Sequence, residues 1–137
     1  MEDGLSGVDL DGSLYGDVVQ QGLHRPFMFI WSQPAGPPDA AALQAAHAVQ
    51  NVFDSLPHGS YQLTIAGTRH FNFADYAVMD VPLLKLLGGL GPINGQRGLK
   101  ISADYTRAFF DTYLKGISSP LLRGSSSDYP EVQFQSR

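Results

Sequence analysis

Arg25-Pro26-Phe27-Met28-Phe29-Ile30-Trp31-Ser32 is a nearly unbroken apolar run of strand length. A strand with one wet face alternates, whereas a run that is apolar at every step is covered on both faces, as in a parallel sheet between helices. Pro26 stands at its start, where a missing N–H is tolerated. Upstream, Val8-Asp9-Leu10 forms a short candidate strand closed by the turn signal Asp11-Gly12, and residues 13–25 read as loop. Downstream, Gln33 to Asp39 holds three prolines and is loop. Asp39 suits the N-cap of a helix over about residues 40–56, with Leu43, Ala46, Val49, Phe53 and Leu56 on one stripe. Tyr61-Gln62-Leu63-Thr64-Ile65 alternates and reads as the next strand.

After Gly67 the loop Thr68-Arg69-His70-Phe71-Asn72-Phe73 precedes an Ala-, Val- and Leu-rich stretch over residues 74–90 that is helical in part. Within it, Val81–Leu90 is apolar enough either to pack in a core or to face lipid. The strongest helix spans about residues 99–115, with Leu99, Ala103, Thr106, Phe110 and Tyr113 along one edge of its buried face, Phe109 and Leu114 beside them, and Gly116 as its stop. Residues 118–137 contain one strand-like piece, Glu131-Val132-Gln133-Phe134. The order strand, strand, helix, strand, helix predicts an α/β fold of about three mostly parallel strands with flanking helices. Three strands make an incomplete sheet, so residues 1–137 read as a single partial domain, with a core over about 5–116 and an extension over 117–137.

Composition narrows the function classes. Apolar residues make up 43% of the 137 and charged residues 16%, enough for a buried core. The net charge is −4 with scattered Lys and Arg, which is not a nucleic-acid surface. There is no cysteine, so thiol nucleophiles and Cys-based zinc sites are excluded. His24, His47, His58 and His70 lack close ligand spacing, and no metal site is expected. Gly88-Gly89-Leu90-Gly91 has no Lys-Ser/Thr after it and does not read as a phosphate loop. No apolar run is long enough for a transmembrane helix, and the first 20 residues lack the basic and apolar regions of a signal peptide, which leaves the compartment open.

Two titratable residues follow strands directly. Asp11 comes after Val8–Leu10 and His70 after Tyr61–Ile65, which places both at the carboxyl edge of the sheet, where ligands bind in open α/β folds. A carboxylate there can fix the tautomer of an imidazole that acts as base and then acid. By position alone, Asp11 also suits a turn residue and His70 an ordinary loop histidine.

Leu10-Asp11-Gly12-Ser13-Leu14-Tyr15-Gly16 resembles the segment that holds the catalytic Asp in platelet-activating-factor acetylhydrolases, and residues 25–32 look like their next core strand. Thr68-Arg69-His70-Phe71-Asn72-Phe73-Ala74-Asp75-Tyr76 resembles their histidine loop and is the most specific part of a match over about residues 5–116. Phe109–Gly116 is similar to the terminal helix of many bacterial relatives. The resemblance implies the C-terminal half of an α/β-hydrolase sheet, with Asp11 as triad acid, His70 as triad base, and Asn72, Phe73 and Asp75 shaping the loop. It implies a carboxylic ester hydrolase for short-acyl esters or phospholipids, without metal or organic cofactor.

One part of the pattern is missing. The nucleophile belongs on a strand–turn–helix elbow, G-x-S-x-G, upstream of the acid. Gly4-Leu5-Ser6-Gly7-Val8 lacks the final glycine and leaves no room for the helix before Asp11, and Gly116-Ile117-Ser118-Ser119-Pro120 lies on the wrong side. The expectation is two members of a triad, with no nucleophile and no oxyanion hole in this chain. Its partners would be the missing N-terminal half, or another copy at an open strand edge. The alternative is a catalytically inactive truncated product acting as an interaction or binding module.

Overall fold

The computed structural model describes residues 6–79 and 81–137. Gly4 and Leu5 of the candidate elbow, and Asp80, lie outside the described residues. Four strands form one sheet in the order β1 (Gly7–Leu10), β2 (Phe27–Ser32), β3 (Tyr61–Ile65), β4 (Val132–Ser136). β1, β2 and β3 are parallel, and β4 runs antiparallel to β3 at the edge. The helices are α1 (Val18–Gln21), α2 (Ala40–Ser55), α3 (Pro82–Leu86) and α4 (Gly95–Lys115). Among the described residues no helix is long and apolar enough to cross a membrane.

The apolar run of β2 has the two-sided burial that its composition demands. Met28 and Ile30 pack with Leu63, Ile65 and the α4 residues Ile101, Tyr105 and Phe109. Phe29 points into the opposite cluster with Val52, Phe53 and Leu56, flanked by Phe27 and Trp31. Helices therefore cover both faces, which is what parallel pairing requires.

Several features differ from the sequence expectation. The sheet has four strands rather than about three, because β4 returns to pair with β3. The core expected to end near residue 116 continues through Leu122, Tyr129 and Val132, all buried. Residues 13–25, read as loop, include the single turn α1. α4 starts at Gly95 rather than near Leu99, because the Asn94 side chain accepts the Arg97 N–H at 3.0 Å and caps it earlier.

The buried face of α4 is also rotated: Gly98, Ile101, Ser102, Tyr105, Ala108 and Phe109 face the core, whereas Ala103 is exposed and Leu114 is 66% exposed. Large side chains occupy two adjoining stripes of this helix. The four-residue spacing of Ile101, Tyr105 and Phe109 wins because it sets three large side chains over β2 and β3. On α2 only Val52 and Phe53 reach the core, joined by Leu56 just past its end, while Leu43 and Ala46 are exposed. The middle of that helix lines a cleft of about 540 Å³ together with Trp31 and Gln62.

Polar contacts fasten the C-terminal segment to α4. Arg97 grips Glu131 with two bonds of 2.9 Å and lies 4.8 Å over the Tyr129 ring. The Tyr129 hydroxyl donates to Asp104, which also takes Lys100 at 2.6 Å. Arg97 holds the Glu131 carboxyl below its ordinary range, and Lys100, then Tyr129, do the same for Asp104. Exposed pairs of this kind contribute little because solvent screens them, so Tyr129 and Val132 in the core carry most of the docking.

The outer edge of β1 has no strand partner among the described residues. Leu83, Leu86 and Leu87 are 60%, 84% and 72% exposed rather than packed in a core.

Candidate active site

Asp11 is the first residue past β1. Its N–H still donates to the Ile30 carbonyl at 2.8 Å, so the β1–β2 ladder runs up to it. Its backbone then turns to φ 54°, a left-handed conformation that Asp and Asn accept more readily than most residues. This turn carries the carboxylate across the end of β2, where Oδ1 accepts the Ser32 N–H at 2.7 Å. The other oxygen, Oδ2, lies 2.9 Å from Nδ1 of His70. Asp11 is mostly covered (side chain 13% exposed), while the His70 side chain is 66% exposed. The acid is held from below by backbone and the imidazole is open to solvent.

Asp9 does not compete for the imidazole. Its Oδ1 accepts the Gly12 N–H at 2.9 Å and closes the turn around Asp11. Burial pushes its carboxyl above the ordinary range; the Gly12 N–H opposes this, and the neighbouring Asp11 charge adds to it.

The histidine loop is held by its own backbone and by a glycine-rich neighbour. Thr68 is buried, and its hydroxyl donates back to the Ile65 carbonyl at 2.7 Å. Asn72 is buried, and its Oδ1 accepts both the Arg69 N–H and the Gly91 N–H at 2.7 Å. Phe73 is half-buried against the α4-side core. Asp75 is exposed and uses its backbone carbonyl to close the turn at Val78, at 3.1 Å. Gly91 packs so closely that a Cβ there would run into the Gly67 carbonyl. The Gly88–Gly91 stretch, which had no role as a phosphate loop, is thus the seat of the histidine loop. Its signal in the sequence was three glycines in four residues.

Ser6 is far from this pair. It precedes β1 and Asp11 follows it, so five strand steps of about 3.3 Å put them roughly 16 Å apart. The sheet therefore separates Ser6 from the imidazole.

The sequence and the fold are similar to those of known enzymes. A probable 1-alkyl-2-acetylglycerophosphocholine esterase of Arthroderma benhamiae is 31% identical over 143 aligned residues, which take in 94% of this chain and 36% of that protein. A ferulic acid esterase from Streptomyces cinnamoneus superposes with a TM-score of 0.78 at 25% identity, over 96% of this chain and 39% of that one. This chain is homologous to part of an α/β-hydrolase esterase. It spans little more than a third of each esterase relative. No family model matches it. In open α/β sheets the carboxyl ends of the parallel strands form the edge at which ligands bind, and Asp11, Ser32 and His70 stand on that edge.

Proposed function

We propose that this chain supplies the acid and base of a serine carboxylester hydrolase whose nucleophile lies outside these 137 residues. The observation that carries the reading is the 2.9 Å contact between Asp11 Oδ2 and His70 Nδ1, with Asp11 Oδ1 anchored by the Ser32 N–H. Asp11 holds the Nδ1–H tautomer, which leaves Nε2 free as a base. A serine hydroxyl gives its proton to Nε2 as it attacks the ester carbonyl. The imidazolium, steadied by Asp11, returns the proton to the leaving alcohol. Water then hydrolyses the acyl-enzyme by the same relay. Asn72 and Phe73 keep the loop in place, and Asp75 serves the turn. The activities of the relatives point to acetylated glycerophospholipids or aryl-acrylate esters, and the favoured substrates are esters with short acyl groups.

The reading is tested with short-chain p-nitrophenyl esters. A longer protein that joins this chain to a serine elbow is expected to turn them over and to lose that activity with His70→Ala. The 137-residue chain by itself is expected to be inactive, because both nucleophile and oxyanion donors are missing from it. Turnover by the isolated chain that disappears in Ser6→Ala would overturn the placement of the nucleophile.

A second reading, an interaction module without catalysis, is favoured by the unpartnered edge of β1 and the exposed leucines of α3 and the residue after it. Free N–H and C=O groups along an edge strand accept another strand. The isolated chain is then expected to self-associate, with a sedimentation coefficient that rises with concentration. A monodisperse monomer that unfolds cooperatively would count against it.

A further inference from the structure

The acid and the base sit on loops beyond the last rung of the sheet. The β2–β3 ladder ends at the pair Ser32 and Ile65. Asp11 depends on the N–H of Ser32, and His70 lies five residues past Ile65. The segment after β2 and the segment after β3 must therefore be held together by something other than strand pairing.

Gln33 makes that connection twice. Its Oε1 accepts the Gly67 N–H at 2.7 Å, and its backbone carbonyl accepts from Arg69 Nη1 at 2.9 Å. Gly67 has φ 77°, which turns the chain away from the ladder and presents its N–H to a side chain instead. The same Arg69 nitrogen also donates to the Thr68 carbonyl at 2.9 Å, and the Arg69 N–H is tied to Asn72. The guanidinium thus clasps its own loop and Gln33 together. A covalent neighbour of Gln33 holds the carboxylate, and a covalent neighbour of Arg69 is the imidazole.

We propose that Gln33 is a positioning residue that sets the distance and orientation between Asp11 and His70 by locking the two loops beyond the ladder. The inference rests on the pairing of Asp11 with His70. Gln33 touches neither reacting group. It acts through Ser32 on one side and Arg69 on the other, and it is exposed, so its removal leaves both cores intact.

The test reads the His70 tautomer in the 137-residue chain by ¹⁵N NMR, at a pH where the imidazole is neutral. The parent is expected to favour Nδ1–H, because Asp11 accepts that proton. Asp11→Asn is the reference for a broken pair and is expected to favour Nε2–H. Gln33→Ala is expected to lower the ratio of Nδ1–H to Nε2–H by about threefold or more, the effect of losing one modest hydrogen bond from the clamp. Gln33→Glu keeps the Oε acceptor and is expected to restore the parent ratio. Arg69→Ala, which cuts the other half of the clamp, is expected to move the ratio the same way, and it decides the matter if Gln33→Ala fails to fold. A parent ratio retained in both Gln33→Ala and Arg69→Ala overturns the role of Gln33 and leaves the pair intact. Identical ratios in the parent and Asp11→Asn would instead remove the pair itself, and the inference with it.

Discussion

In an enzyme that contains this chain and its serine, Asp11→Asn is expected to lower kcat by about 10⁴-fold, the effect of the same exchange in a serine hydrolase triad. The structure shows why the loss should be chemical rather than conformational. Asparagine tolerates the left-handed backbone at φ 54° as aspartate does. Its amide oxygen can still accept the Ser32 N–H that Asp11 Oδ1 now takes at 2.7 Å. The amide nitrogen then faces Nδ1 of His70 and donates to it, which forces the proton onto Nε2. An imidazole with its proton on Nε2 has no lone pair for the serine. Thermal unfolding is expected to change little, and steady-state kinetics beside a melting curve separate the two effects. Asp75→Asn is the control, since Asp75 is exposed and contributes its backbone carbonyl to a turn. An Asp11→Asn enzyme within tenfold of the parent would sink the role given to this carboxylate.

The largest expected effect on stability is at Phe109. Its ring is fully buried between α4 and the sheet, edge-on to Tyr61 at 6.2 Å and 4.7 Å from Tyr113. Phe→Ala in a packed core costs about 3–5 kcal/mol, through lost burial and the cavity left behind. Domains of this size are stable by about 5–15 kcal/mol in total, so a large share of the margin is at stake. α4 also seats the C-terminal segment through Arg97 and Tyr129, and loosening the helix should release β4 with it. Phe109→Ala is expected to unfold at much lower urea than the parent. Phe110→Ala, on the half-buried neighbouring stripe, should cost distinctly less. Equal losses at the two positions would mean that the packing face of α4 is misassigned.

These cases show what a sequence encodes locally and what it does not. β2 was legible because apolar residues at every step leave a strand no wet side. The α2 cap was legible because Asp39 stands before the helix, and its side chain accepts the Ala42 N–H. The positions of Asp11 and His70 at one edge followed from each coming directly after a strand. Their contact spans 59 residues of chain, and only the parallel register delivers it. The pairing of β4 was not legible. Val132–Phe134 alternates as a strand does, but nothing in those residues names β3 as the partner. Gln33 was hidden for a related reason. A glutamine in a proline-rich loop has no periodicity, and its meaning comes from Gly67 and Arg69, more than thirty residues away.

The direction of β4 has a practical consequence. Because it runs against β3, the chain reaches Arg137 beside Ser60, just before β3, with N–H and C=O bonds to Ser60 and Gly59 at 3.0 and 2.9 Å. The imidazole lies past the other end of that strand, about 16 Å away along five residues. A fluorophore, an affinity handle or a surface linker joined after Arg137 therefore leaves from the side of the sheet away from Asp11 and His70. Immobilised that way, the molecule would present the edge that carries Asp11 and His70 outward to solution.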